Sequence, residues 1–222
     1  NNFYYKIIDN EKFYYPNKRI TRLVVDYQKH FNNLLESYCL NVIQINKDDT
    51  VVDCGANVGE LEFALRLKNI KTNYVAFEPD IKAFKCLEKN ILENKNIFNF
   101  ALADKEGVQS LYLDTDGGNT SLSNFGSSEV TEIKTKKLDS LQLKNIKLLK
   151  IDAEGYEPEV IAGSKNTLSE IEYIAVDYGH ERGLNEDSTM VSVLNLLYKS
   201  NFKLIKDSSI RKIGLFQNQS KV

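Results

Sequence analysis

Four acidic side chains close apolar runs in this chain: Asp53 after TVV, Glu78 after NYVAF, Asp152 after IKLLKI and Asp177 after IEYIAV. A carboxylate at the tip of a buried strand accepts hydrogen bonds from whatever lies across that tip. Behind Asp53 stands Gly55-Ala56-Asn57-Val58-Gly59, then a helical segment. Glycines there let the backbone turn tightly and aim the next helix N-terminus at a ligand. The spacing is not the G-x-G-x-x-G of a dinucleotide site, and no Gly-Lys-Ser/Thr follows to grip a phosphate.

The ligand therefore carries a different charge pattern. Asp53 suits an ammonium group, directly or through water, and the backbone N–H groups of the loop suit a carboxylate. Glu78 lies 19 residues beyond Gly59, where a carboxylate pairs with both hydroxyls of a ribose. Pro79 fits the first position of the following helix. Amino acid plus ribose points to S-adenosylmethionine; the plain alternative is a generic α/β turn with a solvated glutamate.

Ligands of open α/β sheets sit outside the carboxyl ends of the strands, near the point where strand order reverses. That places Asp152, Glu154 and Asp177-Tyr178-Gly179-His180 around a transferable methyl group. A hydroxyl acceptor is a poor nucleophile while protonated, so a base within reach assists it. His180 is the candidate base, with a loop histidine of no catalytic role as the alternative; His30, in a helix, reads as structural. Asp152 is expected to orient the hydroxyl or assist His180, unless it caps a helix or pairs with Lys150. A Mg²⁺ ion on Asp152, Glu154 and Asp177 is a second route, disfavoured by Lys150 and by the lack of an Asp-Asn pair after IEYIAVDY. Glu154 has the duller option of supporting the next helix start. Ser121, Lys150, Glu154 and Asp177 complete the substrate candidates, with GGNTSLS, residues 117–123, as a loop able to close over the acceptor.

At the level of elements, FYYKII and EKFYYP flank Asp9-Asn10 and predict a hairpin. Leu23, Tyr27, Phe31, Leu34, Leu35 and Tyr38 recur at helical spacing and predict one amphipathic helix over 19–40. From residue 51, short apolar runs alternate with helices at 58–68, 80–94, 156–169 and 186–200, the pattern of βαβ units and a parallel sheet. GVQSLYLD and EVTEIKTKKL add strands over the Gly117-Gly118 loop. NFKLIKD and IRKIGLFQ form a terminal hairpin, so one strand near the end of the sheet runs antiparallel. The chain divides into a hairpin and helix, 1–48, packed on a core domain, 49–222.

VVDCGANVGE, VAFEPD, ALADKEG, KKLDSL and LLKIDAEGYEPEVIAG, in that order, resemble the FkbM family of class I S-adenosylmethionine-dependent O-methyltransferases over roughly residues 45 to 180. The resemblance implies an α/β, Rossmann-like fold: a seven-stranded, mostly parallel sheet whose last-but-one strand is antiparallel, with helices on both faces. It implies methylation of hydroxyls on sugars, polyketides and other small or glycan acceptors. It places the cofactor at Asp53, Gly55, Ala56, Asn57 and Gly59, with Glu78 on the ribose and Ala103 and Asp104 beside the adenine. Residues 1–50 match nothing comparable.

Composition narrows the partners. A formal net charge of −2 over 222 residues gives no basic face for nucleic acid, and no [Asp/Asn]-Pro-Pro-aromatic box is present to favour a base nitrogen. Apolar runs are all shorter than a membrane span needs. Three cysteines without a CxxC pair suggest neither a disulfide framework nor zinc, and a reducing, cytoplasmic setting is expected. The chain opens Asn-Asn, without a charged-then-apolar leader, which leaves room for it to be a domain of something longer. The expectation is methyl transfer to a carbohydrate hydroxyl, a deoxyhexose such as rhamnose being one acceptor. Its rivals are a non-catalytic glycan- or cofactor-binding domain, a Mg²⁺-dependent O-methyltransferase of another small molecule, and a nicotinamide oxidoreductase, which the glycine spacing disfavours.

Overall fold

Asp9 and Asn10 both take positive φ, 48° and 70°, the conformation a two-residue I′ turn requires and that Asp and Asn tolerate. They join Tyr4–Ile8 (β1) to Glu11–Tyr15 (β2) in an antiparallel hairpin. The structure is a computed structural model that describes residues 3–91, 96–114 and 119–221. After a 3₁₀ turn at Lys18–Thr21, helix α1 runs Arg22–Val25 and helix α2 runs Tyr27–Ser37. The single helix expected over 19–40 is thus broken at Asp26, which is extended (φ −155°, ψ 94°) and accepts from the Lys29 amide at 2.8 Å. An aspartate offered an N-cap of this kind competes with continued helix.

The core follows as Thr50–Cys54 (β3), Glu60–Leu67 (α3), Asn73–Phe77 (β4), Ile81–Asn90 (α4) and Ile97–Phe98 (β5). Ala101–Leu102 (β6), Gly107–Tyr112 (β7) and Val130–Lys136 (β8) form a separate three-stranded sheet in the order β6-β8-β7. Ile146–Ile151 (β9), Glu157–Ala162 (α5) and Ile171–Asp177 (β10) return the chain to the main sheet. A small hairpin, His180–Arg182 (β11) with Asp187–Ser188 (β12), precedes Met190–Lys199 (α6), Phe202–Asp207 (β13) and Ile213–Asn218 (β14). Helix boundaries are shorter than expected at 156–169, where a separate 3₁₀ turn, Thr167–Glu170, follows α5. Asp139 binds the Asn166 and Thr167 amides there and starts that turn anew.

The main sheet runs β13-β14-β10-β9-β3-β4-β5, with β14 antiparallel to both neighbours and the other pairs parallel. Alternation along each strand divides two cores. Val52, Phe77, Leu149, Ile151 and Ile174 face the core covered by α5 and α6. Val51, Tyr74, Ala76, Leu148 and Ala175 face the one covered by α3 and α4. Period-two burial on both faces is why these central strands read as nearly continuous apolar runs. The hairpin β1–β2 joins α2 and α3 in a third cluster around Phe13, Leu23, Phe31 and Phe63. No helix among the described residues is long and apolar enough to cross a membrane.

Candidate active site

Strand order reverses between β3 and β9, and the two strand tips are in contact. The Asp152 amide donates to the Cys54 carbonyl at 3.0 Å. Gly55, at φ +77°, packs so closely that a Cβ there would stand 1.9 Å from the Asp152 carbonyl oxygen. A cavity of about 490 Å³ opens above this junction, within the size range of small-molecule sites.

The glycine turn is held from below. Gly55 and Ala56 amides both donate to the Phe77 carbonyl at 3.0 Å, and Gly59 donates to Ala56 at 2.8 Å. The Asn57 amide donates to Glu78 Oε2 at 2.7 Å. These four amides are therefore committed within the fold, which leaves fewer of the turn's donors for a ligand carboxylate than its glycines suggest. Gly59, at φ +88°, lies under Leu87 and Ile91 as the N-cap of α3 and does not line the cavity.

Asp53 is buried between the Tyr74 hydroxyl, which donates to its Oδ2, and Lys150 Nζ, 3.0 Å from its Oδ1. Lys150 also donates to the Gly55 carbonyl at 2.7 Å. Burial disfavours its charge, but Asp53 and Asp152 outweigh this and raise its pKa. Lys150 is thus a tie across the β3–β9 junction that also lines the cavity. Glu78 lies at the tip of β4, buried, its Oε1 accepting from the Asp80 amide at 2.8 Å. Burial pushes its carboxyl up to about 8. Glu78 lines the cavity, in a wall shared with Pro79, Ala83, Ala101 and Leu102.

Ala103 and Asp104 are not in that wall. After β5 the chain leaves the main sheet, and the Ala103 amide donates to Lys136 on β8. The Ala103 carbonyl lies against Gly163, where a Cβ would come within 2.0 Å of it. The pair expected beside the adenine thus lies against Gly163, at the end of α5, while Ala101 and Leu102 line the cavity.

On the acceptor side, Asp152 lines the cavity and its Oδ2 accepts from the Tyr38 hydroxyl. Its other oxygen, Oδ1, is buried without a hydrogen-bond partner. Burial works against its charge, but Lys150, Arg211 and the Tyr38 bond hold its pKa below the usual value. Arg211 reaches in from the β13–β14 loop, pairing with Asp177 at 2.5 Å and lying 3.7 Å from Asp152. Asp177 sits behind that guanidinium, outside the cavity wall.

Glu154, at φ +50°, lines the cavity with a buried, partnerless Oε2. Burial and the charge of Asp152 raise its pKa. The helix-start role open to Glu154 belongs to Glu157, whose Oε1 accepts from the Ala153 and Gly155 amides. Ser121 fastens its loop to the site by donating to the Glu154 carbonyl at 2.7 Å; residues 117 and 118 of GGNTSLS lie outside the described residues.

His180 is exposed and does not line the cavity. It pairs with Ser188 in the small hairpin, and the register shift after it leaves Glu181 as the neighbour that lines the wall. Burial, then Asp177 and Asp152, raise the Glu181 carboxyl. Asp152, Asp177 and Glu181 bring carboxylate oxygens within 4.8 Å of one another. Glu154 is not in that group, and Arg211 already supplies a positive charge there. His30, read as structural, is in the cavity wall, 2.7 Å from Glu60. Tyr38, Glu181, Arg19, Arg22 and Arg211 also line the wall; no strand-tip or glycine signal marks them.

A mostly parallel seven-stranded sheet with its last-but-one strand reversed, and a glycine turn beside acidic strand tips at the switch point, is the class I methyltransferase architecture. Residues 53–204 match the methyltransferase FkbM domain; the chain belongs to the FkbM methyltransferase family and is an S-adenosylmethionine-dependent methyltransferase. The 2-O-methyltransferase NoeI of Sinorhizobium fredii (strain NBRC 101917 / NGR234) is 24% identical over 181 residues, covering 71% of this chain and 74% of that protein. Methyltransferase sdnD of Sordaria araneosa is 22% identical over 179 residues, covering 63% and 69%. The crystal structure of methyltransferase FkbM from Methylobacillus flagellatus KT aligns with a TM-score of 0.57 at 14% identity, over 86% of this chain. This chain spans 50% of that structure's length.

Proposed function

We propose that this protein transfers a methyl group to a hydroxyl oxygen of a carbohydrate. The observation that carries the reading is Asp152 Oδ1, buried, partnerless and on a side chain that lines the cavity at the switch point. The name of the 24% identical relative, a 2-O-methyltransferase, supports an oxygen acceptor. Buried Glu78 on the cavity wall fits a ribose, and the turn at Gly55 fits the methionine end. When bound, S-adenosylmethionine supplies a methyl group on a positively charged sulfur, already activated for in-line displacement.

The chain's own residues then have two tasks. Asp152, kept ionised by Lys150 and Arg211 and fixed by Tyr38, accepts the acceptor's hydroxyl hydrogen and orients its oxygen. Glu181, whose carboxylate lies within 4.8 Å of that of Asp152 and titrates above its ordinary range, receives that one proton from Asp152 as the methyl is transferred, and so takes the base role expected of His180. In this reading residues 49–222 form the transfer domain and residues 1–48 roof it. The free, buried cysteines Cys39, Cys54 and Cys86 support a reducing, cytoplasmic setting.

Incubation with labelled cofactor and a panel of glycosides, rhamnosides included, tests the proposal. Label is expected on a sugar hydroxyl, and Asp152→Asn is expected to lower turnover by roughly 10²–10⁴-fold with cofactor affinity changed less than about twofold. Label confined to nitrogen or carbon acceptors, or near-normal turnover of the variant, would sink it.

A further inference from the structure

Two cations in the cavity wall have no task in the transfer itself. Arg19, in the 3₁₀ turn, and Arg22, at the start of α1, are three residues apart and so share a face of one continuous helical stretch. The residue after each, Ile20 and Leu23, is buried and anchors that stretch in the third apolar cluster. Among the described residues, neither guanidinium makes an ion pair or a side-chain hydrogen bond. Glu60 attracts Arg22, but its carboxylate is already bonded by His30 at 2.7 Å and by the Tyr15 hydroxyl. Burial and the neighbouring charge of Arg19 lower the pKa of Arg22, and Arg211 adds to the effect.

We infer that Arg19 and Arg22 form an anion clamp, whose guanidiniums hold a carboxylate or phosphate of a ligand in the cavity. Two like charges on one helical face repel each other, and an anion between them removes that cost while satisfying their fixed forks of donors. The glycine turn increases the need for such a clamp. Its amides at Gly55, Ala56, Asn57 and Gly59 already donate within the fold, so the turn by itself offers an anionic group fewer donors than its glycines suggest.

The anion has two sources: the α-carboxylate of the cofactor, or an acidic substituent on the acceptor. The inference rests on the methyltransferase reading, and calorimetry distinguishes the failure of either. S-adenosylhomocysteine and 5′-methylthioadenosine, which lacks the amino-acid carboxylate, are titrated into the protein and into Arg19→Ala, Arg22→Ala and the double variant. Inorganic phosphate, glucose 6-phosphate and glucose are then titrated into each protein saturated with S-adenosylhomocysteine.

If the clamp holds the cofactor, the double variant loses about tenfold or more in affinity for S-adenosylhomocysteine and little for methylthioadenosine. If it holds the acceptor, the loss falls on phosphate and glucose 6-phosphate, while S-adenosylhomocysteine and glucose are unchanged. In either case lysine at both positions restores part of the affinity. Affinities all within twofold of the unaltered protein would overturn the clamp, as would equal losses for the two adenosine compounds. Binding of neither adenosine compound to the unaltered protein would instead defeat the methyltransferase reading.

Discussion

Glu78 holds a proton more tightly in the fold than a free glutamate does, because burial removes water from its carboxylate while only the Asn57 and Asp80 amides replace it. Two opposite pH dependences follow. For stability, a folded-state value of about 8 against an ordinary 4.5 means that this group's contribution is complete below the ordinary value. It is lost as pH rises through the folded one. For cofactor binding the sign is reversed, since only the ionised carboxylate accepts from both ribose hydroxyls. Affinity for S-adenosylhomocysteine is expected to rise between about pH 6 and about pH 9, and Glu78→Gln to flatten that profile. Calorimetric titration across the range checks it; affinity falling with pH would remove Glu78 from the ribose.

Turns and caps, more than the strands themselves, fix the geometry around the cavity. Asp26 starts α2 by capping Lys29, and its loss is worth about 1 kcal/mol, as for most N-caps. Gly155 is a different case. It sits at φ +94°, and a Cβ there would meet the Arg182 and Glu181 backbones at 2.7–2.9 Å. Backbone cannot yield as a side-chain tip can, so Gly155→Ala is expected to cost more than about 3 kcal/mol. Because β11 would be pushed away, Glu181 would move with it. Urea unfolding of Asp26→Ala and Gly155→Ala is expected to rank them in that order; the reverse ranking would mean that this approach of β11 to the β9–α5 turn is not rigid.

The cavity lies between the sheet's switch point and side chains from residues 19–38, tied down by the Tyr38 hydroxyl on Asp152 and His30 on Glu60. A ligand gripped by both parts stabilises the folded state as a unit. At 100 times its dissociation constant, S-adenosylhomocysteine contributes about 2.7 kcal/mol, which for a chain of this size raises Tm by roughly 5–10 °C. Scanning calorimetry over a ligand series checks this. A Tm independent of ligand concentration would show that the cavity does not take up the compound.

Patterns local to the chain are legible in the order of its amino acids. The I′ turn at Asp9-Asn10, the acidic strand tips, the glycine turn, and the parallel sheet with one reversed strand all follow from periodicity and turn chemistry within a few residues. The sequence by itself therefore determined the sheet, the switch point and the presence there of Asp53, Glu78 and Asp152. Tertiary structure decided which side chains reach the cavity. Tyr38 meets Asp152 across 114 residues, and Arg211 meets Asp177 across 34, separations over which no periodic signal runs. The choice between His180 and Glu181 is one residue of register, and in extended chain one residue exchanges the faces. Packing of the hairpin on the β9–α5 turn settles that choice, and nothing near residue 180 in the chain encodes it.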